Sequence, residues 1–228
     1  MKTRLTVFFA LAALFLGGIS AFAQEYVEAP KWRIAVQGGY GRRIGKYQAT
    51  GNEVVDTHNK RLFGGLNYGA DVAYYFSDSY GVGIKYNNLH TTSKDAVYTT
   101  DGRSGMYSEA LDIMFVGPMM STRSINASGK GIFLFNYGIG YLSYDDFGRL
   151  IDDEERIKGA TAGYCLELGY DYRMTNNMFL GANLGAISGV LNSYTVTTNG
   201  NPVKYTLDKD QRESLLHAYL TLGIRYYL

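Results

Sequence analysis

This sequence predicts an all-β chain, an eight-stranded antiparallel up-and-down transmembrane β-barrel preceded by a cleavable signal peptide. Three observations carry the prediction. Eight stretches alternate with a period of two, their second face carries charge and glycine, and short turns alternate with long polar connections. The clearest stretch runs from Ala162 to Arg173. Ala162, Tyr164, Leu166, Leu168, Tyr170 and Tyr172 share one face, and Gly163, Cys165, Glu167, Gly169, Asp171 and Arg173 share the other. A period of two is a strand signal. Three charges on one face cannot line the dry core of a soluble barrel, so the apolar face points outward, toward lipid. A bilayer admits such strands only in a closed barrel, because an open edge would leave N–H and C=O groups unpaired in hydrocarbon.

Before the first strand, Lys2 and Arg4 precede an apolar run, Leu5 to Leu16, and Ala21-Phe22-Ala23 offers a small-residue cleavage point. That pattern is a secretory signal over 1–23, leaving 24–228 as the barrel domain. The run is shorter than the roughly 20 residues a spanning helix needs. Without Lys2 and Arg4 the chain holds 20 basic against 21 acidic residues, a net charge of −1. Such a balance gives no electrostatic footprint for nucleic acid. Cys165 is the only cysteine, so no disulfide staples the fold, and it reads as a small lumen-lining side chain.

Strand one, Trp32 to Gly41, sends Trp32, Ile34, Val36 and Tyr40 outward and Arg33, Ala35 and Gln37 inward. A polar segment, Arg42 to Arg61, follows as the first long loop. Strand two, Leu66 to Phe76, and strand three, from Tyr80, are joined by Ser77-Asp78-Ser79. That turn length puts Asp71 opposite Lys85 on the inward face, which predicts a lumenal ion pair. The second long loop spans about Thr91 to Gly105, with Asp101-Gly102 as a turn dipeptide. Strand four, roughly Tyr107 to Arg123, is assigned Leu111, Ile113 and Phe115 outward and Asp112 and Met114 inward, with Pro118 at a bulge or strand end.

Strand five points Phe133, Phe135, Tyr137, Ile139 and Tyr141 outward and Asn136 inward, with Leu134 and Leu142 as inward exceptions. The third loop, Asp145 to Lys158, is acidic. Strand six is Ala162 to Arg173, and Thr175-Asn176-Asn177 turns it into strand seven, Met178 to Gly189. This register sets Asp171 opposite Gly181 and Glu167 opposite Gly185, charged groups facing glycines. Asn199-Gly200 in the fourth loop is a hairpin signal. Strand eight closes the chain, with Leu216, Ala218, Leu220, Leu222 and Ile224 outward and His217, Tyr219, Thr221, Arg225 and Tyr227 inward. Outward aromatics cluster near both strand ends. From Trp32 to Tyr40, eight steps at about 3.3 Å and a tilt of about 40° give roughly 20 Å of height, against an expected apolar band of about 25 Å.

With these strands in place, the mature chain resembles the small eight-stranded outer-membrane barrel proteins of the OmpA/OmpX type. The signal ending Ala21-Phe22-Ala23, the eight alternating strands and the final Tyr219-Leu-Thr-Leu-Gly-Ile-Arg-Tyr-Tyr-Leu228 carry the resemblance. It implies a monomer in the outer membrane of a Gram-negative-type cell, both termini periplasmic. It also implies assembly through the C-terminal strand by the barrel-insertion machinery, although Leu228 stands where a terminal Phe is usual.

A barrel of eight strands is just filled by its own side chains. The inward charges Arg33, Asp71, Lys85, Asp112, Glu167, Asp171, Arg173 and Arg225 are therefore assigned to a plugging network, with a narrow channel as the alternative. The other alternative is a lipid-modifying enzyme of the deacylase or acyltransferase type. A hydrolytic site needs a Ser activated by a positioned His, and the contexts of His58, His90 and His217 lack the two-apart His–Ser spacing of such barrels. The chain is accordingly read as no enzyme, without cofactor or metal. Arg42, Arg43, Lys46, Arg156 and Lys158, just above Tyr40 and Tyr164, are candidate contacts to lipopolysaccharide phosphates. The acids Asp145, Asp146, Asp152, Asp153, Glu154 and Glu155 match no calcium-loop spacing and read as a solvated face. The first reading of function is a structural or surface-interaction role through the loops. In it, the second and fourth loops rise as polar hairpins that offer a strand edge to an extracellular protein partner.

Overall fold

The computed structural model describes residues 29–45, 51, 53–98, 104–151 and 153–228. The predicted signal peptide, Lys46, Asp101-Gly102 and Asp152 lie outside them. The elements are β1 (Trp32–Arg43), α1 (Glu53–Arg61), β2 (Gly64–Tyr75), β3 (Tyr80–Tyr98), β4 (Ser104–Ile125), β5 (Gly131–Leu150), β6 (Asp153–Arg173), β7 (Met178–Leu191), β8 (Ser193–Thr198), β9 (Asn201–Thr206), β10 (Glu213–Ser214) and β11 (His217–Tyr227). Each strand from β1 to β6 pairs antiparallel with its successor. β11 pairs with both β7 and β1, which closes an eight-stranded ring. Trp32 and Leu228 exchange both main-chain hydrogen bonds at 2.9 Å, so the described chain ends meet at the short-turn end, here called the lower end.

The apolar face points out. Trp32, Ile34, Val36, Leu166, Leu168 and Leu222 are among a belt of exposed large apolar side chains, while Arg33, Glu167 and Asp171 are buried. Such a belt far exceeds the few hundred Å² that a soluble surface tolerates and suits lipid. The predicted registers hold for Asp71 with Lys85, Asp171 with Gly181 and Glu167 with Gly185.

Strand β4 has the opposite phase to the expected one. Leu111, Ile113 and Phe115 are buried inside the barrel, and Asp112 and Met114 lie on the outward face. Register is the cause: Leu89 on β3 already points inward, and it is paired with Ile113, so the two share a face. Pro118 neither ends β4 nor shifts it. The β4–β5 ladder simply lapses between Val116–Tyr141 and Met119–Gly138 and resumes in the same register, because proline offers no N–H to that ladder.

Three expected loops are largely regular structure. The first contains α1, whose acids Glu53 and Asp56 lie in its first turn and whose His58, Lys60 and Arg61 lie in its last, as the helix dipole favours. The second and third are strand: β3 and β4 pair up to Tyr98–Ser104, and β5 and β6 up to Leu150–Asp153. At the upper end, the four strands β3 to β6 therefore run well past the other four. They form a wall on one side of the barrel mouth, which β8 and β9 extend sideways by pairing with β6.

Candidate functional site

Two adjoining layers of the lumen differ in chemistry. In the charged layer, Arg33 bonds Asp71, and its Nε lies 3.3 Å from Asp171. Arg225 Nε lies 3.2 Å from the other oxygen of Asp171. Lys85 donates to Glu167 at 2.8 Å and stands 3.9 Å from Asp71, so its nearer partner is Glu167 and not the expected Asp71. Glu167 also accepts from Asn136 at 3.0 Å and Tyr219 at 2.9 Å, and Asp171 accepts from Tyr227 at 2.7 Å. Three cations thus face three carboxylates, all without solvent exposure at the side chain where the ion pairs are drawn. Glycine makes the room: a Cβ at Gly181 would collide with the Asp171 carboxylate and the Arg225 guanidinium.

Two of the predicted network residues are elsewhere. Asp112 is on the outward face, 40% exposed at its side chain, where it accepts from Asn88 at 2.7 Å and pairs with His90 at 3.0 Å. Its displacement follows from the inverted phase of β4. Arg173 is exposed at the lower rim, its guanidinium over the Phe179 ring at 5.4 Å. A strand end has no opposite wall close enough to pair it.

Above the charges lies an apolar layer of Leu89, Leu111, Ile113, Phe115, Leu142, Cys165, Ile187, Leu191 and Leu215, capped on the charged side by Tyr219. Sequence reading missed it by sending three of its members to lipid. The cue was available in Leu134 and Leu142, inward leucines that already broke the polar-inside pattern. His217 is buried beside this layer, and its Nδ1 lies 3.0 Å from the Leu215 carbonyl. A dry cap of this kind strengthens the ion pairs beneath it by excluding competing water.

No known protein family and no curated protein sequence matches the chain. Among solved structures it is similar to the outer membrane protein OprG from Pseudomonas aeruginosa, at 12% identity over 88% of this chain and 97% of that one, with a TM-score of 0.51. It is likewise similar to Neisserial surface protein A, at 11% identity over 86% and 97% and a TM-score of 0.50. A major outer membrane protein from Thermus thermophilus matches at 14% identity over 86% and 99%, again at 0.50. The fold is that of a small outer-membrane barrel. At these identities the likeness is one of architecture, and the wall has to be read from its own residues.

Helix α1 is pinned to the inner face of the wall. His58 Nδ1 lies 2.8 Å from Asp95, its Nε2 3.2 Å from Glu109, and its ring stacks on Tyr107 at 4.4 Å. Arg61 adds a 2.8 Å bond to Asp95. The Ser93 hydroxyl is 3.0 Å from His58 Nδ1, so the residue types of a hydrolase meet here although no sequence spacing announced them. Both ring nitrogens, however, face carboxylates, and Ser93 and His58 are 3% and 2% exposed. The arrangement serves to fasten the helix. Beside it, burial and the neighbouring Glu109 push the Asp146 carboxyl up to about 7, and the same two causes raise the Tyr107 phenol. Asp146 therefore departs from the solvated face expected of the acidic loop.

The other candidate phosphate contacts divide. Arg156 donates to Asp145 twice at 2.7 Å and Lys158 stands 3.5 Å from the same carboxylate, all on the outward face. Arg42 is outward and exposed; Arg43 is turned to Glu213 and over Phe63. Among the described residues no cluster of three His, Cys, Asp or Glu side chains is arranged to hold a metal.

Beyond β6 the sheet ends at β9. Asn199 and Gly200 take the positive φ values, 49° and 84°, that a two-residue hairpin turn requires. The pair flanking such a turn, Thr198 and Asn201, exchanges hydrogen bonds, and alternate pairs follow. Pro202, Lys204 and Thr206 consequently turn their main-chain groups to the open edge. Pro202 is compatible with that position because no inward N–H is required of it. Every residue of β9 is exposed.

Proposed function

We propose that this chain is an outer-membrane protein with periplasmic termini and a closed lumen, which meets an extracellular protein partner through the open edge of β9. The observation that carries the reading is that edge: a six-stranded sheet, β3 to β6 with β8 and β9, rises past the lipid-facing belt and ends in a strand whose far side has no partner strand among the described residues. An unpaired edge is a template for strand addition, in which main-chain bonds supply affinity and alternate side chains supply specificity. Val203 and Tyr205 stand exposed on one face of β9 and Lys204 on the other. In the two-fold pairing of two β9 strands centred on Lys204 that residue would oppose itself, a like-charge contact that a partner strand bearing an acid there would replace with an attraction.

A photo-reactive side chain at Asp208, exposed just beyond the end of β9, should give one defined adduct in intact cells. Deleting Thr195 to Leu207 should abolish it while leaving insertion, followed by the heat-dependent electrophoretic mobility of folded barrels, intact. Lys204→Pro, which removes an edge donor and leaves the β8–β9 ladder paired, should weaken it. An adduct that survives both changes would remove the β9 reading.

A further inference from the structure

We propose that the groove lined by Arg42, Arg43, Ile44, Lys60, Phe63 and Ala218 binds the phosphorylated headgroup of a membrane lipid. The inference rests on the barrel's membrane setting and is independent of the β9 edge. Position is the first argument. Arg42 follows the outward Tyr40, is paired with Ala218 as Tyr40 is with Leu220, and so stands at the upper limit of the lipid-facing belt on β1 and β11. A side chain there meets headgroups, not hydrocarbon.

Chemistry is the second argument. The groove, about 620 Å³ in volume, brings three cationic residues together with no carboxylate in its lining. Arg43 is committed to Glu213 and lies over the Phe63 ring at 5.5 Å, so it shapes the floor. Arg42 has no acidic partner among the described residues, and an arginine fork matches a phosphate bidentately. Ile44, 53% exposed, and the Phe63 ring give the same groove an apolar side for the non-phosphate part of an amphipathic ligand. The contrast with a second outward groove, about 470 Å³ and lined by Lys158, Lys204 and Asp145, is instructive. There Asp145 already engages Arg156 and Lys158, so a phosphate would have to displace a carboxylate.

The test is native mass spectrometry of the folded protein in detergent micelles. Its probes are a bisphosphorylated glucosamine lipid, the dephosphorylated form of that lipid, and inorganic phosphate. Wild-type protein should retain one phosphorylated lipid. Arg42→Gln with Lys60→Gln should weaken retention ~30-fold, taking the worth of each cation at an anionic headgroup surface, and Arg42→Lys should weaken it less. Lys158→Gln with Lys204→Gln should leave it unchanged. Heat-dependent mobility reports that every variant is folded. Equal retention of the dephosphorylated lipid, an unaffected Arg42/Lys60 variant, or an equal loss in the Lys158/Lys204 variant each overturns the assignment. Binding of inorganic phosphate as tight as that of the lipid would make the groove a free-anion site and overturn the headgroup reading.

Discussion

The lumen and the upper wall both carry many charges, but the longest lumenal ties span far more of the chain than those on the wall. In the lumen Arg33 meets Asp171 across 138 residues and Lys85 meets Glu167 across 82. On the wall Arg156 meets Asp145 across 11 and Arg61 meets Asp95 across 34. The first kind of pair ties opposite sides of a closed cylinder; the second ties neighbouring strands, or a helix to the strand beside it. Solvent sharpens the difference, since the lumenal partners are fully enclosed whereas Arg156 and Asp145 are about half and a third exposed. Losing a lumenal partner should therefore be felt by the whole barrel, and losing a wall partner only where it stood.

Glu167→Ala is the severest way to break that contrast. It strands the Lys85 ammonium with Asp71 at 3.9 Å and removes the acceptor of Asn136 and Tyr219. Leaving a buried charge unpaired costs about 3–5 kcal/mol, read as the denaturant midpoint of the refolded barrel. Replacing both partners, Lys85→Met with Glu167→Leu, should restore part of the loss, because a packed apolar pair has no charge to desolvate, while Asn136 and Tyr219 stay without their acceptor. A cost for Glu167→Ala under about 1 kcal/mol, the range of exposed pairs, would mean that water reaches the layer and that the two regions do not differ.

Ile113→Ala probes the apolar cap. Ile113 is fully buried against the cluster that closes the lumen, and truncating such a residue costs about 2–4 kcal/mol, part transfer and part cavity. Had β4 kept the phase its sequence first suggests, with Ile113 in lipid, the same change would cost far less. The measurement thus tests the inverted strand directly. Planar-bilayer recordings of the variant should remain silent, since the charged layer beneath stays intact.

That strand shows where sequence reasoning stops. Ring closure, strand count and most inward charges were legible because alternation with Glu167, Asp171 or Arg225 on one face leaves a single sensible orientation. On β4 both faces are apolar around Leu111 to Met120, so period alone cannot tell lipid from a dry cap, and only the register to Leu89 decides. The wall was hidden for a related reason. Once past the lipid, a strand needs no apolar face, so the polar runs Thr91 to Tyr98 and Asp145 to Leu150 look like loop. Helix α1 and the His58 cluster depend on pairings between residues 37 and 51 apart, which no local spacing announces.

The wall has its own titration. Asp146 is held up to about 7 by burial and by Glu109, whereas a carboxyl in an opened wall ionises near its usual 4 or so. The folded wall therefore keeps a proton that the opened wall releases between about pH 4 and 7. Its stability is highest below that window, falls as pH rises through it, and carries the full penalty above it. Asp95 and Asp145 act the other way and lower down. They are held below the usual range chiefly by bonds from His58 and Arg156, so their contribution is lost as pH falls. Amide exchange at 106–110 and 145–148, corrected for intrinsic rate, should be faster at pH 8 than at pH 5, and Asp146→Asn should abolish the difference. The lumen, closed under its cap, should show no matching change. Equal exchange at both pH values would contradict the retained proton.

Arg156→Ala is the smallest expected effect and the sharpest control. Its two 2.7 Å bonds to Asp145 look as good as any in the lumen, yet both side chains are about a third to a half exposed. In water the Coulomb gain is nearly matched by solvation, and fixing two long side chains costs entropy, so the change should cost under about 1 kcal/mol. It should also fade with added salt, as exposed pairs are screened within a Debye length of about 10 Å at 0.1 M. Lys158, 3.5 Å from the same carboxylate, is at hand to take over Asp145 and shrink the loss further. A cost comparable to that of Glu167→Ala would show that enclosure is not what separates the two regions, and that bond geometry alone sets the worth of a charge pair in this barrel.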